Sequence, residues 1–455
     1  MGFAARCILN NPEAFDRVII ALPFTSIIDQ MADTLRKALE EATNLLAVLE
    51  HHSLTDPEAR ATSEAKRVAL EAAEANWDHA PLVVTTFVQL LESLLSNQPR
   101  RMRKLHSIAR STIMLDEIEV LLTHQLETTM DVLRALAETC GCVVVLSTAT
   151  QPPFEQQVEC LKNIKIHEIT RRPDQLERVL RRVQYEEVGS RDAPVTPARI
   201  ADEAARQPQP LVVVNTHRDA LRIMNKMTGV AGLRHLSARL YPAHRRAVIA
   251  GSKADLRDGH SVRLVSTQVI EAGVDLDFPW EARVYGPLGS IVQTAGRVNR
   301  EDMLRDAAGQ PMLGTLVVFH LEAATTPGED YITAINTLDR IRHLMPMMRD
   351  DTDGVIGLDF ADPAFIRRYY SDLMYRRVDL KGIHALRRQL DFPAVADQYK
   401  LIDEQQISLC VDYRQEGHAP LASLIAEPSR AKTRRVQQYV VQVSQSQGGQ
   451  SRRQR

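Results

Sequence analysis

Asp116 and Glu117 stand side by side in the stretch IMLDEIEVLL (113–122), where apolar residues lead in and out and Glu119 adds a third carboxylate. A buried carboxylate is costly unless a metal, a proton or a partner compensates it. If the apolar run is a strand, the pair falls at its C-terminal end, where open α/β sheets bind their ligands. There the first carboxylate can hold Mg²⁺ through water, and the second can orient or deprotonate an attacking water. That is the chemistry of nucleotide hydrolysis. A strand closing in a charged turn would read the same, so the pair alone leaves both open.

Three other stretches offer complementary groups. In QTAGRVNR (293–300), Arg297 and Arg300 are three apart and would share one face of a helix. Two guanidiniums aimed one way clamp phosphate, whereas a solvated helical stripe has the same spacing. STQVIEAGVDLD (266–277) presents Ser266, Thr267 and Gln268 at the mouth of a strand, and Gly273 permits a tight turn before Asp275. LSTAT (146–150) sets Ser147, Thr148 and Thr150 at the end of another.

Parallel strands must position these groups. Near-continuous Val, Ile and Leu runs at 17–24, 81–87, 111–117 and 142–150, and again at 210–216, 262–268, 282–286 and 314–322, alternate with helical patterns. Runs of this kind are strands buried on both faces, and their alternation with helices argues βαβ units. The expected fold class is α/β, with two tandem domains. The first spans 1–172 with a helical insertion at 32–78. A Pro-rich linker follows at 173–209, then the second domain at 210–325. From 326 to 443 a helical linker and a partial, mixed C-terminal accessory domain are expected, and 444–455 reads as a disordered basic tail. The formal net charge of −2 means that any DNA-binding surface is local. Five cysteines without a C-x-x-C pair read as reduced thiols, and no stretch approaches the ~18 apolar residues of a membrane span. A cytoplasmic protein is expected.

DEIE, STAT, STQVIEAGVD and QTAGRVNR, in this order, resemble motifs II, III, V and VI of a superfamily 2 helicase. More narrowly, ALPFTSIIDQ (21–30), PLVVTTFVQLLESLLSN (81–97), KLHSIARSTIMLDE (104–117), LSTATQP (146–152) and VVVNTHRDA (212–220) resemble the CRISPR-associated helicase-nuclease of type I systems. The resemblance extends from about residue 17 to 443. It implies two tandem RecA-like, P-loop NTPase-type domains and an ATP-driven translocase on single-stranded DNA delivered by the guide-RNA surveillance complex. It further implies that Asp116 and Glu117 serve Mg²⁺ and water, and that Gln293, Arg297 and Arg300 approach the phosphates of ATP with Gly273 and Asp275 beside the nucleotide. Ser147 and Thr148 would couple nucleotide state to domain movement. Thr25, Ser26, Thr85, Thr86, Thr216 and Thr267 would turn toward DNA phosphates. Glu119 stands where this family usually has Gln or His.

The resemblance also names what these residues do not contain. No Gly-Lys dipeptide of a P-loop occurs, and none of the fourteen histidines is followed by the Asp of a His-Asp nuclease. Without the P-loop amides and lysine, ATP affinity should fall severely. The alternatives are therefore a truncated form of this helicase whose autonomous ATPase is in doubt, with a nuclease domain in trans, an inactive DNA-binding or complex-docking form of it, or an ATPase whose P-loop half comes from a separate chain.

Overall fold

The computed structural model describes residues 10, 13–39, 47–52, 63–78, 80–121, 125–170, 172, 175–176, 179–271, 273–344, 349–350, 354–355, 359–375, 381–401, 406–411 and 417–444. Two compact units divide the chain: His167–Leu373 form one, and the residues before and after it form the other. Each unit is built on one wholly parallel sheet.

In the first unit β1 (Arg17–Leu22), β2 (Val48–His51), β3 (Leu82–Thr86), β4 (Ser111–Asp116) and β5 (Val143–Ser147) lie in the order β2-β3-β1-β4-β5. The helix Thr25–Ala38 places Ile28, Ala32 and Leu35 on one face, at the spacing a helix requires. They pack against Val18, Ile20, Leu22, Val48 and Val84 of the sheet. Each fully buried Ile or Leu side chain contributes about 1.5–3 kcal/mol. Near the end of that helix Arg36 reaches Glu50 on β2 at 2.6 Å, which answers a carboxylate that is 1 % exposed. The chain from Lys381 to Leu401 also belongs to this unit and docks on the helix Leu126–Thr139. Arg387 pairs with Asp131 at 2.6 Å, Tyr399 meets Thr129 at 2.8 Å, and Gln125 donates to the Lys400 carbonyl at 2.7 Å.

The second sheet holds β6 (Val183–Val188), β7 (Pro210–Val214), β8 (Leu233–Leu236), β9 (Arg263–Thr267), β10 (Trp280–Val284) and β11 (Gly314–Phe319), ordered β6-β11-β10-β7-β9-β8. One face is wholly apolar: Val212, Val214, Val265, Ala282, Val284, Val317 and Phe319 share a core with Ile200, Ala204, Ala220 and Ile223. On β10 the residues between, Glu281 and Arg283, are fully buried and register with Leu211 and Val213. Alternation therefore sends two charges into the opposite face, beside the core of Leu211, Val213, Leu264, Ile270 and Phe278. Arg283 is paired there. Both carboxylate oxygens of Glu281 are without a hydrogen-bond partner among the described residues.

Three expectations about organisation need correction. The segment 32–78 is not only helical, because β2 sits within it as a sheet edge. The expected linker 173–209 carries β6 and the helix Pro197–Arg206, and β6 pairs in parallel with β11. The span 326–443 does not stay together: Glu329–Leu344 lies in the second unit, whereas 381–401, the ribbon Gln406–Cys410 with Val440–Ser444, and the helices His418–Ala426 and Arg430–Gln437 lie in the first. The tail from 445 on is outside the described residues.

Two outcomes follow from this packing. Burial raises the Glu281 carboxyl well above the usual carboxylate range, against the opposing pull of Arg297. A carboxyl whose folded pKa exceeds its unfolded one gives its full share of stability below the ordinary glutamate range, and loses it as pH rises through the folded value. Glu281→Gln should therefore stabilise the protein by about 1–3 kcal/mol at pH ~8 and by clearly less at pH ~5. Thermal melts of both proteins at the two pH values check this, and equal shifts would count against it. At Gly314, an added Cβ would collide with Val298 and lie 3.0 Å from the Asn299 Cβ. Gly314→Ala should cost about 1–3 kcal/mol in denaturant unfolding, because the turn carrying Arg297 and Arg300 has to move.

Candidate functional site

Register brings the first unit's candidates to one edge. Leu22 lies beside Thr86, Ala21 beside Leu115, and Asp116 beside Ser147, so the C-terminal ends of β1, β3, β4 and β5 are level. Asp116 is half-buried there, and its carboxylate has no partner among the described residues. A single open carboxylate at a strand end fits Mg²⁺ held through water, since that ion keeps several waters and takes few protein ligands. Glu117 has φ 58°, a left-handed conformation rare for a residue with a side chain. Such strain collects at functional positions. It turns the chain at once into the short 3₁₀ turn Ile118–Leu121.

Glu119 behaves differently. Its side chain is buried, and the Thr148 hydroxyl donates to it. The same Thr148 oxygen accepts the Thr150 N–H at 3.0 Å. The stretch following β4 is thus tied to the stretch following β5, a link that residue types alone could not disclose. Thr25 is half-buried in the first turn of its helix, next to Ser26, whose side chain lies outside the description. Thr85 departs from expectation: it is fully buried and its hydroxyl donates to the His51 carbonyl at 2.8 Å. Thr86 caps the helix Phe87–Leu94 by accepting the Gln89 N–H at 3.1 Å. Both hydroxyls are spent on holding the fold.

In the second unit β7 and β9 end level, with Val214 beside Thr267, and this places Thr216 and Thr267 at one edge. Thr216 caps the helix His217–Met224 through Asp219, which is fully buried and also accepts from Thr325 at 2.8 Å. Gly273 has φ 73° and provides the expected tight turn before Asp275. Asp275 takes Lys253 at 2.5 Å and Arg300 at 3.3 Å. The Lys253 hydrogen bond is the main reason its carboxyl sits below the usual range, aided by the charges of Lys253, Arg300 and Arg297. Asp277 accepts the backbone N–H groups of Arg300 and Glu301 at 2.7 and 3.1 Å.

The two arginines are not on a helix. Gln293 is, half-buried in Leu288–Ala295, but that helix stops with Gly296 at its C-cap. Arg297 and Asn299 then exchange backbone hydrogen bonds with Phe278, and Asn299 adopts φ 46°. Consequently the guanidiniums differ. Arg297 is 9 % exposed and donates to the Glu271 carbonyl at 2.7 Å, while the Arg300 side chain is 37 % exposed beside Asp275. Only Arg300 presents a largely open cation.

Comparison with known proteins agrees with these motifs. Residues 206–303 match the family model for the C-terminal part of the CRISPR-associated nuclease/helicase Cas3. The chain is 25 % identical over 418 residues to the CRISPR-associated nuclease/helicase Cas3 of Haloferax volcanii, covering 69 % of this chain and 44 % of that protein. A Cas3 of Methanothermobacter thermautotrophicus is 25 % identical over 206 residues, which are 43 % of this chain and 24 % of the relative. The chain thus spans less than half the length of these relatives. Among solved structures, T. fusca Cas3 superposes with a TM-score of 0.65 at 15 % identity, over 97 % of this chain and 60 % of that one. Its ADP form gives 0.64, also at 15 % identity, over 97 % of this chain and 60 % of that one, and this likeness shows a shared fold of tandem RecA-like domains. By its motif order and its family-model match over residues 206–303, the chain is similar to the Cas3 helicases, and it shares with them a fold of two RecA-like sheets.

Proposed function

We propose that this chain is the motor portion of a type I CRISPR effector, an ATP-dependent translocase that unwinds target DNA as a single strand presented by the guide-RNA surveillance complex. The observation that supports it most is the level edge of the first sheet, where the open Asp116 carboxylate adjoins the strained Glu117. In this reading Asp116 holds Mg²⁺ through water, and Glu117 aligns and deprotonates the attacking water. Mg²⁺, when bound, supplies charge neutralisation on the phosphates. Arg300 and Arg297 meet phosphate charge, with Gln293, Gly273 and Asp275 around the nucleotide. Thr148, through Glu119, ties the carboxylate turn to the chain after β5, and Ser147 adjoins Asp116 in register. The hydroxyls of Thr25, Ser26 and Thr267 serve DNA phosphates, contacts that hold a strand without reading its sequence, whereas the Thr216 hydroxyl, like that of Thr86, is engaged in its helix cap. A nuclease acts from a separate domain, in cis or in trans.

A second reading rests on the lack of any Gly-Lys dipeptide in these residues: the chain binds DNA or docks on the surveillance complex without turning over ATP. One experiment separates the two. ATP hydrolysis by the full chain is measured with and without single-stranded DNA, with Glu117→Gln as control, and DNA affinity is measured at rising salt. The motor reading expects hydrolysis stimulated by DNA and lowered about 10²–10⁴-fold in the variant. Salt-sensitive binding without hydrolysis selects the second reading, because phosphate contacts make affinity fall steeply with salt. Neither binding nor hydrolysis would sink both.

A further inference from the structure

The roles assigned above leave unused a buried polar cluster in the second unit. Arg283 on β10 is fully buried and pairs with the Glu271 carboxylate at 2.9 Å. Its guanidinium also donates to the Asn215 side-chain oxygen at 2.6 Å, the Val284 carbonyl at 2.9 Å and the Tyr331 hydroxyl at 3.0 Å. Tyr331 in turn donates to the same Asn215 oxygen at 2.6 Å. Glu271 is 5 % exposed, with Ser290 and Thr294 beside its carboxylate on the helix that leads to Arg297. The Glu271 carbonyl receives the Arg297 guanidinium at 2.7 Å. Over the cluster lies Gly286, where any Cβ would stand 2.7 Å from the Tyr331 hydroxyl.

A buried ion pair is poor value as a stabiliser, since apolar side chains of the same volume usually serve as well or better. What such a pair does supply is fixed direction. Here it joins the end of β7 at Asn215 to the turn after β9 at Glu271, beside Ser290 and Thr294 of the helix Leu288–Ala295. Arg297 follows that helix by only two residues, and its guanidinium hangs on the backbone of the same Glu271.

We propose that Glu271 and Arg283 are positioning residues for Arg297, their buried ion pair fixing the turn whose carbonyl aims the Arg297 guanidinium at the terminal phosphate of a nucleoside triphosphate. This rests on the motor reading of the site and adds to it two residues that touch no ligand. Planar guanidinium recognition of phosphate depends on orientation, so a loosened turn costs discrimination before it costs binding. The residues act on the terminal phosphate alone, and the diphosphate should be bound as before.

The test measures affinities of the full chain for ADP and for the non-hydrolysable triphosphate AMP-PNP, both with Mg²⁺. Proteins compared are the wild type, Arg283→Gln, Glu271→Gln, Arg297→Ala and the double variant Arg283→Gln/Arg297→Ala. The wild type should prefer the triphosphate, and Arg297→Ala should reduce that preference by about tenfold, the loss expected of one charge-assisted contact. Arg283→Gln and Glu271→Gln should reduce it similarly while ADP affinity changes by less than about twofold, and the double variant should be no worse than Arg297→Ala, as coupled residues require. Arg283→Lys, which keeps the charge, should recover part of the preference. The proposal is overturned if either Gln variant keeps the wild-type preference, if the losses in the double variant add, or if the wild type shows no preference. Failure of both Gln variants to fold would assign the pair to stability and equally end the positional role. A wild type that binds neither nucleotide removes the motor reading itself, and this inference with it.

Discussion

In a parallel sheet each strand delivers its chain at the same edge, and inter-strand hydrogen bonds keep those exits level. Here that constraint places Thr86, Leu22, Asp116 and Ser147 along one line in the first unit, and Val213, Ser266 and Leu236 along another in the second. Residues tens of positions apart in sequence become neighbours because of backbone pairing, before any side chain contributes. A one-residue slip of β4 against β5 would turn every side chain of β4 to the other face. The apolar faces resist it: Ile113 and Leu115 are fully buried, and the partner Val145 is 9 % exposed.

Against this regular frame, the departures from regularity are concentrated at the loops the frame supports. Glu117 and Asn299 take left-handed conformations that glycine would take more cheaply, and each lies next to a residue given a chemical role. Face patterning fails in the same way on β10. Ala282 and Val284 obey it, whereas Glu281 and Arg283 carry charge into a core. Arg283 meets four oxygen partners. Glu281 has none among the described residues, and desolvation pushes its carboxyl well above the usual carboxylate range. Left-handed backbone also occurs at Trp77, Arg110 and Leu390, so it is the pairing of strain with a strand-end carboxylate that singles out Glu117.

Legibility in the sequence follows from the same physics. The eight strands read from Val- and Ile-rich runs all form. Within the two parallel sheets, the three strands that composition concealed, β2, β6 and β8, are sheet edges. An edge strand needs fewer apolar residues, so VLEH, VQYEEV and LRHL carry charges that a central strand rarely tolerates. The acidic pair and Gly273 were placed correctly because their positions depend on a neighbouring strand or turn. The Arg297–Arg300 stripe was not, since helical spacing says nothing about where a helix ends. Gly296 and the pairing with Phe278 decide that. Asp219, Glu271 and Arg283 are not legible in the sequence because each has a partner distant along the chain, Thr325 for Asp219 at a separation of 106 and the Glu271–Arg283 pair at 12. Thr85 was misjudged for a related reason: only the fold reveals that His51 claims its hydroxyl.

Glu119 shows how position alone can divide like groups among unlike tasks. Three carboxylates lie within four residues, yet each meets a different environment. Asp116 ends a strand and is half-buried. Glu117 follows it in a left-handed conformation, also half-buried. Glu119, two residues on, is carried back under the surface by the 3₁₀ turn, where an ionised carboxylate would be costly without a donor. Thr148 supplies one, and its own oxygen is steadied by the Thr150 amide. The substitution of Glu for the family's Gln or His is thereby explained chemically, since all three can accept a hydrogen bond from a threonine hydroxyl. What the structure shows at that position is an acceptor for Thr148, carried on a buried side chain.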